Sequence, residues 1–154
     1  MPMRHIWIFQ LASMPDAGQS AILNSGLDHL MQTWKAHGSP VPGTYQLQYG
    51  RFLIVQAEPG HASGCSIDSM NRSVAEILTN ANLSVLGAER VLFRAHDGSI
   101  SDIDFKEVKA AIQDGRLNAD SIVFDGTLGN SNDLAKWEVQ LSQTWMARFL
   151  TVRA

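Results

Sequence analysis

Residues 63–69 bring together the side chains of this chain that are best suited to covalent or ligand-binding chemistry. They read Ser-Gly-Cys-Ser-Ile-Asp-Ser and include the only cysteine of the 154 residues. Loop-forming residues precede them at positions 58–64. Apolar residues then recur every three or four positions, at Ile67, Met70, Val74, Ile77, Leu78 and Ala81. This spacing predicts a helix, with Cys65 or Ser66 at or just before its N-terminus.

The cysteine supports an enzymatic hypothesis. Cys65 would be the nucleophile of a hydrolase or acyl transferase, and the helix N-terminus would favour a thiolate as it favours any anion. His61, four residues upstream, would act as the base, with His37 as the alternative base. Asp68, which we expect in the first helical turn, would position these groups. The sequence has no second cysteine to resolve a mixed disulfide, which disfavours disulfide exchange.

The same turn also supports a binding role without covalent chemistry. Ser63, Gly64 and Ser66 would then form one wall of a small pocket, in which free backbone N–H groups contact a ligand. A purely structural interpretation is the remaining alternative. It makes Cys65 a small buried or capping residue, or makes Ser63 or Ser66 the helix N-cap.

Two residues upstream of this turn complete the predicted binding set in the first half of the chain. His37 precedes Gly38, and this pair predicts the end of a helix that begins at Asp16. Arg51 begins the most hydrophobic strand and is expected to pair with Asp68 or Glu58. For each of these two residues, a structural role is therefore an alternative to ligand binding.

The composition of the chain restricts its partners. Histidines stand at positions 5, 29, 37, 61 and 96 without metal-binding spacing, so we expect no metal and no cofactor. A net charge of −3 and the lack of a basic run exclude nucleic acid as the main partner. No apolar segment has membrane length. A single cysteine is typical of a reducing compartment, which predicts a cytoplasmic protein that binds a small molecule or another protein.

The order of predicted elements indicates an α+β fold. Strands are expected at residues 4–11, 45–49, 51–58 and 90–95, and helices at about 16–36 and 65–81. Tyr49-Gly50-Arg51 predicts a tight hairpin, and residues 100–103 are expected to pair back across the turn at 96–99. The resulting β-α-β-β-α-β order is that of a ferredoxin-like core, an antiparallel sheet with both helices on one face. We assign this core to residues 1–103.

Residues 104–154 are predicted to form a helix and strand extension that packs on the core within one structural domain. A short helix is expected near 105–112 and a strand at 121–124. Trp145 and Arg148 lie three residues apart and would share a helix face, where the guanidinium can stack on the indole. This pair would either bind a carboxylate or phosphate or dock the C-terminal element on the core.

Three blocks of sequence resemble a family of uncharacterised bacterial proteins of about this length. The blocks are residues 34–38 (WKAHG), residues 51–53 (RFL) leading to 63–68 (SGCSID), and Trp137 followed by residues 145–149 (WMARF). Members of that family often carry the label "ABC transporter ATPase". The chain has no G-x-x-x-x-G-K-[ST] phosphate loop, so the resemblance implies no ATPase reaction. It marks the SGCSID block as the organising feature.

Three functional hypotheses result from the sequence. The leading one is a cytoplasmic ligand-binding or interaction domain with a pocket at the turn formed by residues 63–68. The alternative is a cysteine-dependent enzyme that uses Cys65. The third is a homodimer that buries exposed apolar sheet surface between two copies of the chain.

Overall fold

The computed structural model describes residues 4–125, 134 and 136–150, and these combine helices with antiparallel β-sheets. The predicted mixture of helix and strand is therefore confirmed. The described residues form two compact units, residues 4–86 and residues 87–125, 134 and 136–150. The predicted division after residue 103 falls inside the second unit. Residues 1–3, 126–133, 135 and 151–154 of the predicted domains lie outside the described residues.

The first unit contains a three-stranded sheet in the order β1-β5-β4, with antiparallel neighbours, and a two-stranded hairpin, β2-β3. Its elements are β1 His5–Gln10, α1 Ala17–Thr33, β2 Lys35–Ala36, β3 Ser39–Pro40, β4 Gly43–Gln48, β5 Phe52–Ala57 and α2 Gly64–Asn80. The predicted Tyr49-Gly50-Arg51 hairpin joins β4 to β5, with positive φ angles of 55° and 70° at its first two residues.

Both long helices of the first unit contribute to one hydrophobic cluster with the central strand β5. Their apolar residues lie three or four positions apart, so that each helix presents a single apolar stripe. The stripes are Leu23, Leu27 and Leu30 on α1 and Met70, Val74 and Leu78 on α2, and they pack with Leu53 and Val55 of β5. The core of this unit therefore lies between the helices and one face of the sheet.

The predicted start of α1 is confirmed, but its predicted end at about residue 36 is wrong. Asp16 caps the helix by accepting a 2.7 Å hydrogen bond from the backbone N–H of Gln19. The helix ends at Thr33, because Trp34 is extended and residues 35–36 pair with residues 39–40. His37 and Gly38 have φ angles of 52° and 81°. Two consecutive positive φ values are typical of a two-residue hairpin turn.

The ferredoxin-like arrangement is not confirmed, because the strand predicted at 90–95 pairs elsewhere. This strand, β6 Arg90–Arg94, lies in the sheet of the second unit. Apart from the pairing of β1 with β5, the described chain forms only an isolated bridge at this strand, between Leu11, just after β1, and Val85. The backbone N–H of Leu86 donates to the carbonyl of Gln10 at 2.7 Å. The sheet of the first unit therefore has three strands.

The second unit contains a four-stranded antiparallel sheet in the order β7-β6-β8-β9. Its elements are β6, β7 Ile100–Asp104, α3 Val108–Gln113, β8 Ile122–Phe124 and β9 Glu138–Gln140, with short 3-10 helices at Phe105–Glu107, Leu141–Gln143 and Trp145–Phe149. The predicted pairing of residues 100–103 with β6 is confirmed. Among the described helices of both units, none has the length and apolar character required to cross a membrane.

Candidate functional site

The first turn of α2 is held by the buried residue Ser66. Its hydroxyl accepts a 2.7 Å hydrogen bond from the backbone N–H of Ser63 and donates a 2.8 Å hydrogen bond to the carbonyl of Ser63. That carbonyl also accepts the N–H of Ile67 at 2.8 Å. Ser63 is the N-cap residue of the helix. Both serines proposed as capping residues therefore help to start the helix, Ser63 by its position and Ser66 by its side chain.

Cys65 is exposed, and the interpretation that makes it a buried residue or the cap is wrong. It is the second residue of α2, beside Ser66, whose side chain takes the inward direction on this turn. At the preceding position, a Cβ atom placed on Gly64 would meet no described atom within 4 Å apart from its chain neighbours and the backbone of its own helix. The outer side of this turn is therefore open at both Gly64 and Cys65.

In the described part of the chain, the predicted partners of Cys65 are not hydrogen-bonded to it. His61 and Asp68 are exposed. Within residues 4–125 no hydrogen bond or ion pair joins either side chain to Cys65. The expectation that Asp68 lies in the first helical turn is also wrong. The helix begins at Gly64, which makes Asp68 its fifth residue and leaves the first turn without an acidic side chain.

The structure instead brings His37 to this turn. The imidazole Nε2 of His37 lies 3.4 Å from the hydroxyl oxygen of Ser63, and both side chains are near the surface. His37 reaches this place because it occupies the tip of the β2–β3 hairpin. The sequence predicted both residues for the ligand set but not their contact. In the sequence, a His-Gly pair is compatible with a positive-φ hairpin turn as well as with a helix end.

A further residue at this turn, Trp34, was not predicted to have a role in the site. Its indole Nε1 donates a buried 2.9 Å hydrogen bond to the carbonyl of Ser66. The ring makes an edge contact with Trp7, with centroids 5.8 Å apart. A Cβ atom on Gly43 would approach the Trp34 ring to 2.9 Å. Trp34 therefore has close neighbours on the sheet as well as on the helix.

Arg51 is not part of this turn. It is buried, with 8% of its surface exposed, and its Nε donates a 2.8 Å hydrogen bond to the carbonyl of Leu11. It precedes β5, whose six residues extend for about 20 Å before the chain reaches the loop that leads to α2. Glu58, one of its predicted partners, instead pairs with Arg4 at 3.3 Å. In the structure Arg51 fastens the β4–β5 hairpin to the end of β1.

Trp145 and Arg148 lie in the second unit and form the predicted stack. The guanidinium carbon of Arg148 is 5.4 Å from the ring centroid of Trp145 and 5.0 Å from that of Phe149. The Trp145 side chain is half exposed. The 3-10 helix that carries the stack is capped by Thr144, whose hydroxyl accepts the N–H of Met146 at 3.2 Å. The ligand role of this pair stays a prediction.

In the part of the chain that the structure describes, no three His, Cys, Asp or Glu side chains converge to hold a metal ion. Comparisons of the chain with protein-family models, with curated proteins and with solved structures found no match. The site is therefore interpreted from its geometry.

Proposed function

We propose that the first turn of α2, together with His37, binds a small anionic ligand, and that the protein is a ligand-binding domain. The observation that carries this proposal is the position of the His37 imidazole, 3.4 Å from the Ser63 hydroxyl at the N-terminus of a 17-residue helix. These groups offer one hydroxyl, one ring nitrogen and the N–H groups of the first turn to a ligand.

The electrostatics of this turn favour an anion. The first N–H groups of a helix have no acceptor within the helix, and the helix dipole places partial positive charge there. No acidic residue of the first turn neutralises that charge. The surface is open at Gly64 and Cys65. A histidine side chain adds a full positive charge when it is protonated. A carboxylate or phosphate group is the chemistry that fits this combination.

Titration of 15N-labelled protein with inorganic phosphate, at constant ionic strength, tests the proposal. We expect the amide signals of Gly64, Cys65 and Ser66 to shift together and to saturate. His37→Ala should weaken phosphate binding by roughly tenfold, because it removes a hydrogen bond to a charged group. His29→Ala is the matched control, since His29 is an exposed histidine on α1 and should bind phosphate as the wild type does.

Two results would overturn the anion site. The first is the absence of saturable shifts in residues 63–67. The second is an equal loss of affinity in the His37 and His29 variants, which would show only a change in net charge. Acetate in a parallel titration separates a site for any carboxylate from one that requires the phosphate geometry.

The alternative function is a cysteine-dependent enzyme, and the exposure of the Cys65 thiol favours it. His37 replaces His61 as the preferred base, since it already approaches Ser63, two residues before Cys65. The rate of alkylation of Cys65 by iodoacetamide, measured against pH, tests this function. Activation by His37 predicts that His37→Ala slows the reaction while His61→Ala does not. Equal rates in the folded and the unfolded protein would remove the enzyme hypothesis.

We also propose that the first unit is related to the ferredoxin-like arrangement and that the protein works in the cytoplasm. The order β1-β5-β4 with two helices corresponds to five of the six elements of that fold. The antiparallel bridge of Leu11 with Val85 lies where its fourth strand would stand. A single cysteine supports a reducing compartment. A small molecule or another protein remains the proposed partner.

A further inference from the structure

We infer that Trp34 is the positioning residue of this site, because it joins the hairpin that carries His37 to the helical turn that carries Ser63. The inference deepens the proposed function and relies on it only for the ligand. The positioning itself is a property of the folded chain that can be measured without any ligand.

The backbone of Trp34 fixes the base of the β2–β3 hairpin. Its N–H donates to the carbonyl of Leu30 at 2.8 Å and so completes the last turn of α1. Its carbonyl accepts the N–H of Val41 at 2.9 Å, across the hairpin. His37 is three residues from Trp34 at the tip of this hairpin. The direction of the hairpin, and with it the place of the imidazole, therefore depends on Trp34.

The side chain of Trp34 fixes the other half of the site. The indole N–H donates to the carbonyl of Ser66, and the hydroxyl of Ser66 bonds both the N–H and the carbonyl of Ser63. The hydroxyl of Ser63 lies 3.4 Å from Nε2 of His37, at the tip of the hairpin. These contacts form a closed circuit in which Trp34 bonds the base of the hairpin through its backbone and the first turn of the helix through its indole.

The ring of Trp34 is held so that this hydrogen bond has a fixed geometry. Only 3% of its surface is exposed. Gly43 provides the space for the ring, since a Cβ atom there would lie 2.9 Å from ring carbons Cε3 and Cζ3. Trp7 contacts the ring edge-on. Because the ring cannot turn without displacing these neighbours, the indole N–H stays directed at Ser66.

The test compares Trp34→Phe with Trp7→Phe. Both variants remove one indole from the same aromatic contact, but only Trp34→Phe removes the N–H that bonds Ser66. Global stability is expected to fall in both. Hydrogen exchange of the Ile67 amide, which bonds the Ser63 carbonyl, is expected to accelerate by roughly 3- to 10-fold more in Trp34→Phe than the change in global stability explains. Trp7→Phe should show no such excess.

Two further readouts separate this inference from the proposed function. The line positions of the His37 ring protons should change in Trp34→Phe and stay as in the wild type in Trp7→Phe. Phosphate affinity should fall in Trp34→Phe alone. If phosphate binds neither the wild type nor the variants while the exchange and ring signals change as expected, the anion site fails and the positioning role stands.

Equal behaviour of the two variants in exchange and in the His37 signals would overturn the positioning role. A measurement on the wild type covers the case in which Trp34→Phe does not fold. In the wild type, the chemical shift of the Trp34 indole proton should have the small temperature coefficient of a hydrogen-bonded proton. The coefficient of the Trp7 indole proton should be larger. A temperature coefficient of Trp34 as large as that of Trp7 would equally overturn the inference.

Discussion

At the scale of single residues, Tyr45 shows how one side chain joins the sheet to a helix. Its hydroxyl donates a 2.7 Å hydrogen bond to Oδ1 of Asp28 on α1. Burial, the hydrogen bond to Asp28 and the negative charge of Asp28, in that order, raise the pKa of Tyr45 to about 12. All three causes favour the neutral phenol in the folded protein, since an ionised Tyr45 would be less solvated and would face a carboxylate.

This pKa predicts the response of the first unit to alkali. The pKa of Tyr45 is raised above the value of about 10 for an unfolded tyrosine. The contribution of Tyr45 to stability is therefore complete below pH 10 and is lost as the pH rises toward 12. Absorbance titration of the phenolate, with Tyr45→Phe and Tyr49→Phe to assign the two tyrosines, measures the pKa directly. Asp28→Ala should lower it, but not to the ordinary value, because burial remains.

Two outcomes of this titration would contradict the proposed causes of the raised pKa of Tyr45. If Tyr45 ionises at an ordinary pKa both in the wild type and in Asp28→Ala, the contact between β4 and α1 does not persist in solution. An unchanged, raised pKa in Asp28→Ala would instead show that burial alone raises it.

The residues of the candidate site were largely predictable, but their arrangement was not. The sequence shows a helix start near residue 65, and this predicted that Ser63, Cys65 and Ser66 lie together. The approach of His37 to Ser63 spans 26 positions and depends on a hairpin of two-residue strands. Strands of two residues are too short to show a hydrophobic period. Gly38, with its positive φ, is compatible with a helix end as well as with a turn, and the sequence interpretation chose the helix end.

At the scale of elements, Gly26 shows why α1 contains a residue that disfavours helices. Glycine in a helix interior costs up to about 1 kcal/mol relative to alanine. In the structure a Cβ atom on Gly26 would lie 2.8 Å from both γ carbons of Ile77 on α2. Gly26 therefore permits the close approach of the two helices.

We expect Gly26→Ala to destabilise the protein despite its better helix propensity. Ile77 is β-branched and cannot turn its γ carbons away without leaving its preferred rotamer. Overpacking of this kind costs about 1–3 kcal/mol, more than the gain in propensity. Urea unfolding measures the difference. Gly18→Ala on the same helix is the control, since its Cβ would meet only Asp16, at an ordinary 3.5 Å.

The double variant Gly26→Ala/Ile77→Ala isolates the contact between the helices. The cost of Gly26→Ala should be smaller in the Ile77→Ala background, because the clashing atoms are then absent. Equal costs in the two backgrounds would show that α1 and α2 do not approach as closely as the structure describes.

At the scale of the whole molecule, local pairings were predictable and distant ones were not. The β4–β5 and β6–β7 hairpins connect neighbours in sequence, and turn residues at 49–50 and 96–99 mark them. The assignment of β6 to a second sheet depends on β8, about thirty residues later. No local pattern distinguishes that pairing from pairing with β1. The sequence therefore predicted the elements of a ferredoxin-like core but not their division between two sheets.

The single exposed cysteine allows a prediction about association of the whole chain. An internal disulfide is impossible with one cysteine, so oxidation can join Cys65 only to another molecule. Because the thiol is exposed, mild oxidation should convert the protein to a covalent dimer that runs at twice the monomer mass on a non-reducing gel. Cys65→Ser should remain monomeric on that gel and lose about 0.5 kcal/mol of stability or less, as expected of an exposed position.

The oxidation experiment also tests the predicted homodimer. Sedimentation of the reduced protein measures its oligomeric state independently. If the reduced protein is already a dimer, its melting temperature should rise with protein concentration. Rapid crosslinking at low concentration would then place the two Cys65 residues close together across that interface. A reduced dimer that resists crosslinking would place Cys65 away from it and leave the α2 turn accessible to a ligand. A concentration-independent melting temperature with slow crosslinking would exclude the homodimer and leave the collision of two exposed thiols as the only route to the covalent product.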